Sequence, residues 1–170
     1  MREALLSLLD GTSLEAITGA MIAERAQVGY ATYFRRYANV RALLVDTVAV
    51  LTDDLVERMM PALLAADSEG AAAALVDAVA ARRGVFRSLL TGAADALRAE
   101  LARQVIERVN VLPDLSPSWL PRQLATRVAV MSTIELLDWW LREEPDRSAE
   151  EVSALLDRLV IARVAEPVSK

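Results

Sequence analysis

The sequence predicts an all-α protein, with an N-terminal helix-turn-helix head of three helices joined to a larger C-terminal helical domain. Three observations carry that expectation. Apolar residues recur at three- and four-residue spacing along most of the chain, and no alternating stretch competes. Hydrophobic residues make up 54% of the 170, with alanine and leucine abundant, so good helix formers outweigh strand formers. Glycine and proline number only six each, and they fall where the periodicity breaks.

The elements follow in order. The stretch 2–10 places Leu5, Leu8 and Leu9 on one helical face and stops at Gly11. Thr18 is a suitable N-cap for a helix over 19–26, because its hydroxyl can accept from an orphan amide of the first turn. Gln27-Val28-Gly29 is a tight break, and 30–37 forms a short second helix. Asn39 caps a long element whose stripe runs Val40, Leu44, Val48, Leu51, Leu55 and Met59, and Pro61 ends or kinks it near Met60. The segment 68–90 is helical with an interruption at Gly84, and 93–109 follows with Leu97, Leu101 and Val105 in register. Three prolines make 110–121 a loop, and Pro121 suits the first turn of a helix reaching about Arg142. Ser148 and Glu151 have the spacing of a capping box, opening a last helix over about 149–165.

Composition narrows the function. With no cysteine and no histidine there is no disulfide, thiol nucleophile, imidazole base or classical zinc site, so neither an enzyme nor a bound cofactor is expected. No apolar run reaches the roughly 20 residues of a membrane span, and the N-terminus lacks a signal-peptide pattern, so the expected location is the cytoplasm. The net charge of −5 argues against nucleic acid in bulk, but it is uneven. Residues 1–44 hold five arginines against four carboxylates, one net positive charge, which leaves −6 for 45–170.

Two short helices around a tight turn, the second polar and aromatic, have the form of a helix-turn-helix. Ala23, Ala26, Val28 and Gly29 are small enough for close packing at the turn. On the second helix, Tyr30, Thr32 and Tyr33 offer hydroxyls to bases or phosphates, Arg35 and Arg36 suit phosphate oxygens, and the wholly apolar Phe34 is expected in the core. Helix pairs of this kind also occur in all-α proteins that never touch DNA, so these residues alone leave both readings open.

The stretch 17–44, ITGAMIAERAQVGYATYFRRYANVRALL, resembles the DNA-binding head of TetR-family transcriptional regulators. Thr18, Ile22-Ala23, Ala26, Val28, Thr32, Phe34, Tyr37 and Leu43 occupy matching places, and the two C-terminal helices resemble the family's dimerisation pair. Gln27 stands where the family has a turn glycine, Gly29 where it has a serine N-cap, and Val40 where it has a phosphate-contacting lysine. The first helix is short against the family pattern, so the expectation is either a native start upstream, the preferred reading, or a member that binds DNA weakly.

The resemblance implies a DNA-binding head over 1–44 and a ligand-sensing and dimerisation domain over 45–170. It implies a DNA interface of Thr18, Gly29, Tyr30, Ala31, Thr32, Tyr33, Arg36 and Arg41, on double-stranded operator DNA. It further implies a homodimer through the last two helices, a palindromic operator, and repression relieved by a small-molecule effector. From the residues themselves, the apolar faces of those helices suit either an internal core or a bundle with a second subunit. Expected ligand contacts are Phe86, Trp119, Met131 and Trp139, with Arg83 and Arg87 as polar anchors; large apolar side chains at helical spacing equally suit the core. The competing reading is a helical ligand-binding or interaction protein whose head no longer binds DNA.

Overall fold

A computed structural model describes residues 1–91 and 95–164. Its elements are α1 (Arg2–Leu9), α2 (Gly19–Arg25), α3 (Tyr30–Arg36), α4 (Val40–Leu64), α5 (Ser68–Ala80), α6 (Arg83–Thr91), α7 (Asp95–Val109), α8 (Arg122–Arg142) and α9 (Ala149–Leu156). A short 3₁₀ turn, Leu14–Ala16, lies between α1 and α2. Beyond α9 the chain widens into a π-helical turn, Asp157–Ile161, and ends the described part in the helical turn Ala162–Val164. No strand occurs among the described residues. The expected helix start at Ala93, the expected end at Ala165 and the side chains of Leu97 and Leu101 lie outside what is described.

Caps formed where the side-chain chemistry demanded them. The Thr18 hydroxyl accepts from the Met21 amide at 3.3 Å, and Asn39 accepts from the Ala42 amide at 2.9 Å. Ser148 and Glu151 close a reciprocal capping box, and the bonds from Ser148 hold the Glu151 carboxyl below its ordinary range. Two expected breaks shift. Pro61 does not end α4, which runs one more turn to Leu64. Gly84 lies inside the first turn of α6, and the interruption comes two residues earlier at Ala81 and Arg82.

Two hydrophobic cores organise the molecule. The first gathers α1, α2, α3 and the first half of α4 around Leu5, Leu9, Ile22, Tyr33, Leu43 and Leu44, and it also takes Val85 and Leu89 from α6. The second packs α5, α8, α9 and the π-turn around Val76, Val79, Leu137, Trp140, Leu141, Val152 and Leu156. Ala71 and Ala72 are fully buried there, and their small side chains let α5 lie close against α9. Helix α4 is continuous across the expected 44/45 boundary and serves both cores, with Leu44 and Val48 in the first and Leu55 and Met59 against the second.

Glycine matters at two seams. A Cβ on Gly19 would come within 2.7 Å of the Tyr33 ring, so its absence lets α3 seat that ring over the start of α2. A Cβ on Gly84 would come within 2.7 Å of the Asp10 backbone oxygen, where α6 meets the end of α1. Beside that contact the Ser88 hydroxyl donates to the Leu9 carbonyl at 2.7 Å. The α2–α3 turn itself runs through Gln27 at φ 54°, a left-handed conformation that glycine adopts without strain.

Candidate DNA interface and ligand cavity

Helix α3 presents one face outward and seats the other in the head core. Tyr30 is 59% exposed and Phe34 44%, and Ala31, Arg35 and Arg36 are also exposed. Tyr33 is fully buried, so it is excluded from the expected DNA contacts, and Phe34 replaces it on the outside. The helical period explains the exchange. Tyr33 lies four residues before Tyr37, which is also buried, whereas Phe34 lies four residues after the exposed Tyr30. The Tyr33 hydroxyl has no hydrogen-bond partner, and burial together with the nearby Tyr30 raises its pKa.

Other expected contacts fall as follows. Thr18 is exposed and occupied as the cap of α2; Gly29 is the exposed N-cap of α3 and supplies no side-chain bond. Thr32 is half-buried and its hydroxyl accepts from Arg35 at 3.2 Å. Arg36 and Arg41 are exposed on the head's surface. On α1, the partly exposed Arg2 donates to Asp46 at 2.8 and 3.1 Å, while the Tyr37 hydroxyl donates to the same carboxylate. Those bonds hold Asp46 below the usual carboxylate range and fasten α1 and the end of α3 to α4.

The larger domain is hollow. A cavity of about 300 Å³ opens between α4, α6, α7, α8 and the turns that carry Val160, Ile161 and Val164. Its walls are aliphatic, with Leu55 and Met59 from α4, Leu90 from α6, Val105 and Val109 from α7, and Leu137 from α8 among them. The inward face of α8 explains the space, because Ala125, Thr126, Ala129 and Thr133 stand where larger side chains would fill it. Polar groups gather at the loop after α7. Arg122 donates to the Asn110 carbonyl at 2.7 Å and to that of Leu112, and Asp114 accepts from the Ser116 amide at 3.0 Å and its hydroxyl at 2.6 Å. The Ser116 bonds lower the Asp114 pKa.

Of the six expected ligand contacts, Phe86 alone lines this cavity. Arg83 is turned to structure: its guanidinium stacks 4.5 Å from the Trp140 ring and donates to the Pro145 carbonyl, clamping the α8–α9 turn. Trp139 stacks under Arg147 at 5.4 Å in the same turn, and Arg87 is exposed outside the cavity wall. Trp119 is 72% exposed on the loop, and Met131 is 46% exposed on the outer side of α8. With Leu124 and Val128, Met131 forms an outward apolar stripe on α8, and Leu159 is exposed beyond α9. The missed lining was legible in part as the α4 stripe; the alanines and threonines of α8 gave no signal on their own, because a small side chain marks a void only when its neighbours are known.

Three buried positions belong both to the head's core and to the cavity wall: Val48, Leu51 and Leu89.

No protein-family model and no curated protein matches the sequence. Solved structures do. The fatty acid degradation regulator FadR from Bacillus halodurans is 16% identical, with a TM-score of 0.70 over 94% of this chain and 92% of that one. The transcriptional regulator FadR from Bacillus subtilis, in complex with stearoyl-CoA, is 14% identical, with a TM-score of 0.69 over 96% and 97%. FadR from Thermus thermophilus, a TetR-family transcriptional repressor in complex with lauroyl-CoA, is 17% identical, with a TM-score of 0.63 over 100% and 99%. Sequence identity this low carries the likeness of architecture alone, and over nearly its whole length the chain has the fold of the TetR-family transcriptional regulators.

Proposed function

We propose that the protein is a homodimeric DNA-binding repressor whose effector is a long aliphatic acyl compound. The observation that carries this reading is the sharing of Val48, Leu51 and Leu89 between the head's core and the cavity wall. Ligand and DNA then act on one mechanical unit. An acyl chain suits walls that are mostly aliphatic, and the polar loop at Asp114, Ser116 and Arg122 suits the end that carries a thioester or amide. The acyl-CoA ligands of the two FadR complexes support the same class.

DNA contact is assigned to the outward side of α3, with Arg36 and Arg41 on phosphates. The apolar stripe Leu124, Val128 and Met131 with Leu159 is the proposed subunit interface. A twofold dimer through that stripe carries two α3 helices to successive major grooves, roughly 34–36 Å apart, and so requires a palindromic operator. The filled cavity favours a dimer in which the two heads no longer match that spacing.

The test is a titration of the protein against duplexes recovered from a random pool, at two salt concentrations, with and without lauroyl-CoA. The reading requires a palindromic site, a steep loss of affinity with salt, and release by the acyl compound. Binding that is weak, uniform across sequences and indifferent to lauroyl-CoA refutes it.

A further inference from the structure

We propose that α3 reads thymine methyl groups through the exposed Tyr30–Phe34 pair. The inference rests on the DNA-binding reading above and adds what the helix recognises. In a helix-turn-helix, the N-terminal part of the second helix reaches base edges. Here that part carries Tyr30, Ala31 and Phe34 outward, while both arginines of the helix lie in its last turn. No asparagine, glutamine or lysine occurs in α3, and the Thr32 hydroxyl already accepts from Arg35. The usual bidentate partners of adenine and guanine are therefore missing from the end that enters the groove.

What that end offers is aromatic surface held in one arrangement. The Tyr30 and Phe34 rings meet edge to face with centroids 4.6 Å apart, and Phe34 meets the buried Tyr33 edge to face at 5.0 Å. Tyr33 is thus a fixed support beneath an exposed pair. An apolar projection of this size would be left in water on a free helix. The thymine C5 methyl is the apolar feature that a B-form major groove presents to such a side chain. The flanking Arg35 and Arg36 match the phosphates bordering the groove in charge.

The experiment uses the full chain and duplexes enriched by it from a random pool, resynthesised with deoxyuridine replacing deoxythymidine one position at a time. Uracil keeps every hydrogen-bonding group of thymine and loses only the methyl. The expected result is a thymine at a fixed place in each half-site, with affinity falling about fourfold for each contacted methyl removed. Phe34→Ala weakens binding to the thymine duplex and abolishes the difference between the two, and Tyr30→Ala does the same at the neighbouring position. If enriched sites bind equally well with uracil throughout, the thymine assignment is overturned while DNA binding stands. If no sequence is enriched, the DNA-binding reading fails, and this inference with it.

Discussion

The head and the larger domain solve opposite packing problems with the same aliphatic vocabulary. In the head, Leu5, Leu9, Ile22, Leu43 and Leu44 close completely around the Tyr33 ring, and Gly19 is pared to a hydrogen to admit it. In the larger domain the inward face of α8 is pared in the same way at Ala125 and Ala129, yet nothing arrives to use the space. A small residue facing a large one makes a seam; a row of small residues facing aliphatic walls makes a container. That difference fits the two roles proposed above, because a platform for DNA must hold its shape and a sensor must have room to change its contents.

Truncation at α3 breaks or upholds the comparison most sharply. Tyr33→Ala should cost roughly 3–5 kcal/mol in urea unfolding, as a ring lost from a closed core. Phe34→Ala, one residue on, should stay within about 0.5 kcal/mol. Equal or reversed costs would mean that the helix presents its other face. At the seam between the two regions, Gly84→Ala forces a methyl onto the Asp10 carbonyl oxygen and should cost about 1–3 kcal/mol by overpacking.

Filling tests the hollow directly. Ala23→Leu in the head should destabilise by about 1–3 kcal/mol, since Ala23 is only 4% exposed among the packed side chains of that core. Ala129→Leu should be tolerated or raise the melting temperature while excluding an acyl ligand, because it grows into open space. A similar loss in both variants would argue that the cavity is not a true void.

The smallest effects sharpen the description of the head. Tyr33→Phe should leave stability unchanged or slightly raised, since the hydroxyl it removes is buried without a partner. Asp46 gives a pH signature. Its folded-state pKa is lowered, first by the bond from Arg2 and then by that from Tyr37. The stability it contributes is therefore fully present above the unfolded carboxylate pKa of about 3.9 and is lost as pH falls through the lower folded value. Asp46→Asn should flatten the acid limb of the head's unfolding curve.

Much of this architecture was legible in the residues because local chemistry dictated it. Thr18, Asn39 and the Ser148–Glu151 pair announce helix starts through side chains that can reach their own amides, and the structure has all three. The orientation of α3 was not legible in the same way. Ranking side chains by polarity put Phe34 inside and Tyr33 outside, whereas the space above Gly19 selected a ring at position 33 regardless of its hydroxyl. The cavity was legible only as a region. The large side chains expected there lie elsewhere: Trp119 and Met131 face solvent, and Trp139 stacks under Arg147. Arg83 was expected as a polar anchor for a ligand, but its partners are the Pro145 carbonyl, 62 residues away, and the Trp140 ring, a pairing no local pattern encodes.

The π-turn at Asp157–Ile161 introduces a phase slip into the final helix. An extra residue in one turn rotates everything after it by about 100° relative to an uninterrupted α-helix. Val160 and Ile161, both within this turn, line the cavity. Deleting a single residue from this segment would let the helix wind evenly, turn Ala162–Val164 to another side, and swing one of those two side chains away from the chamber.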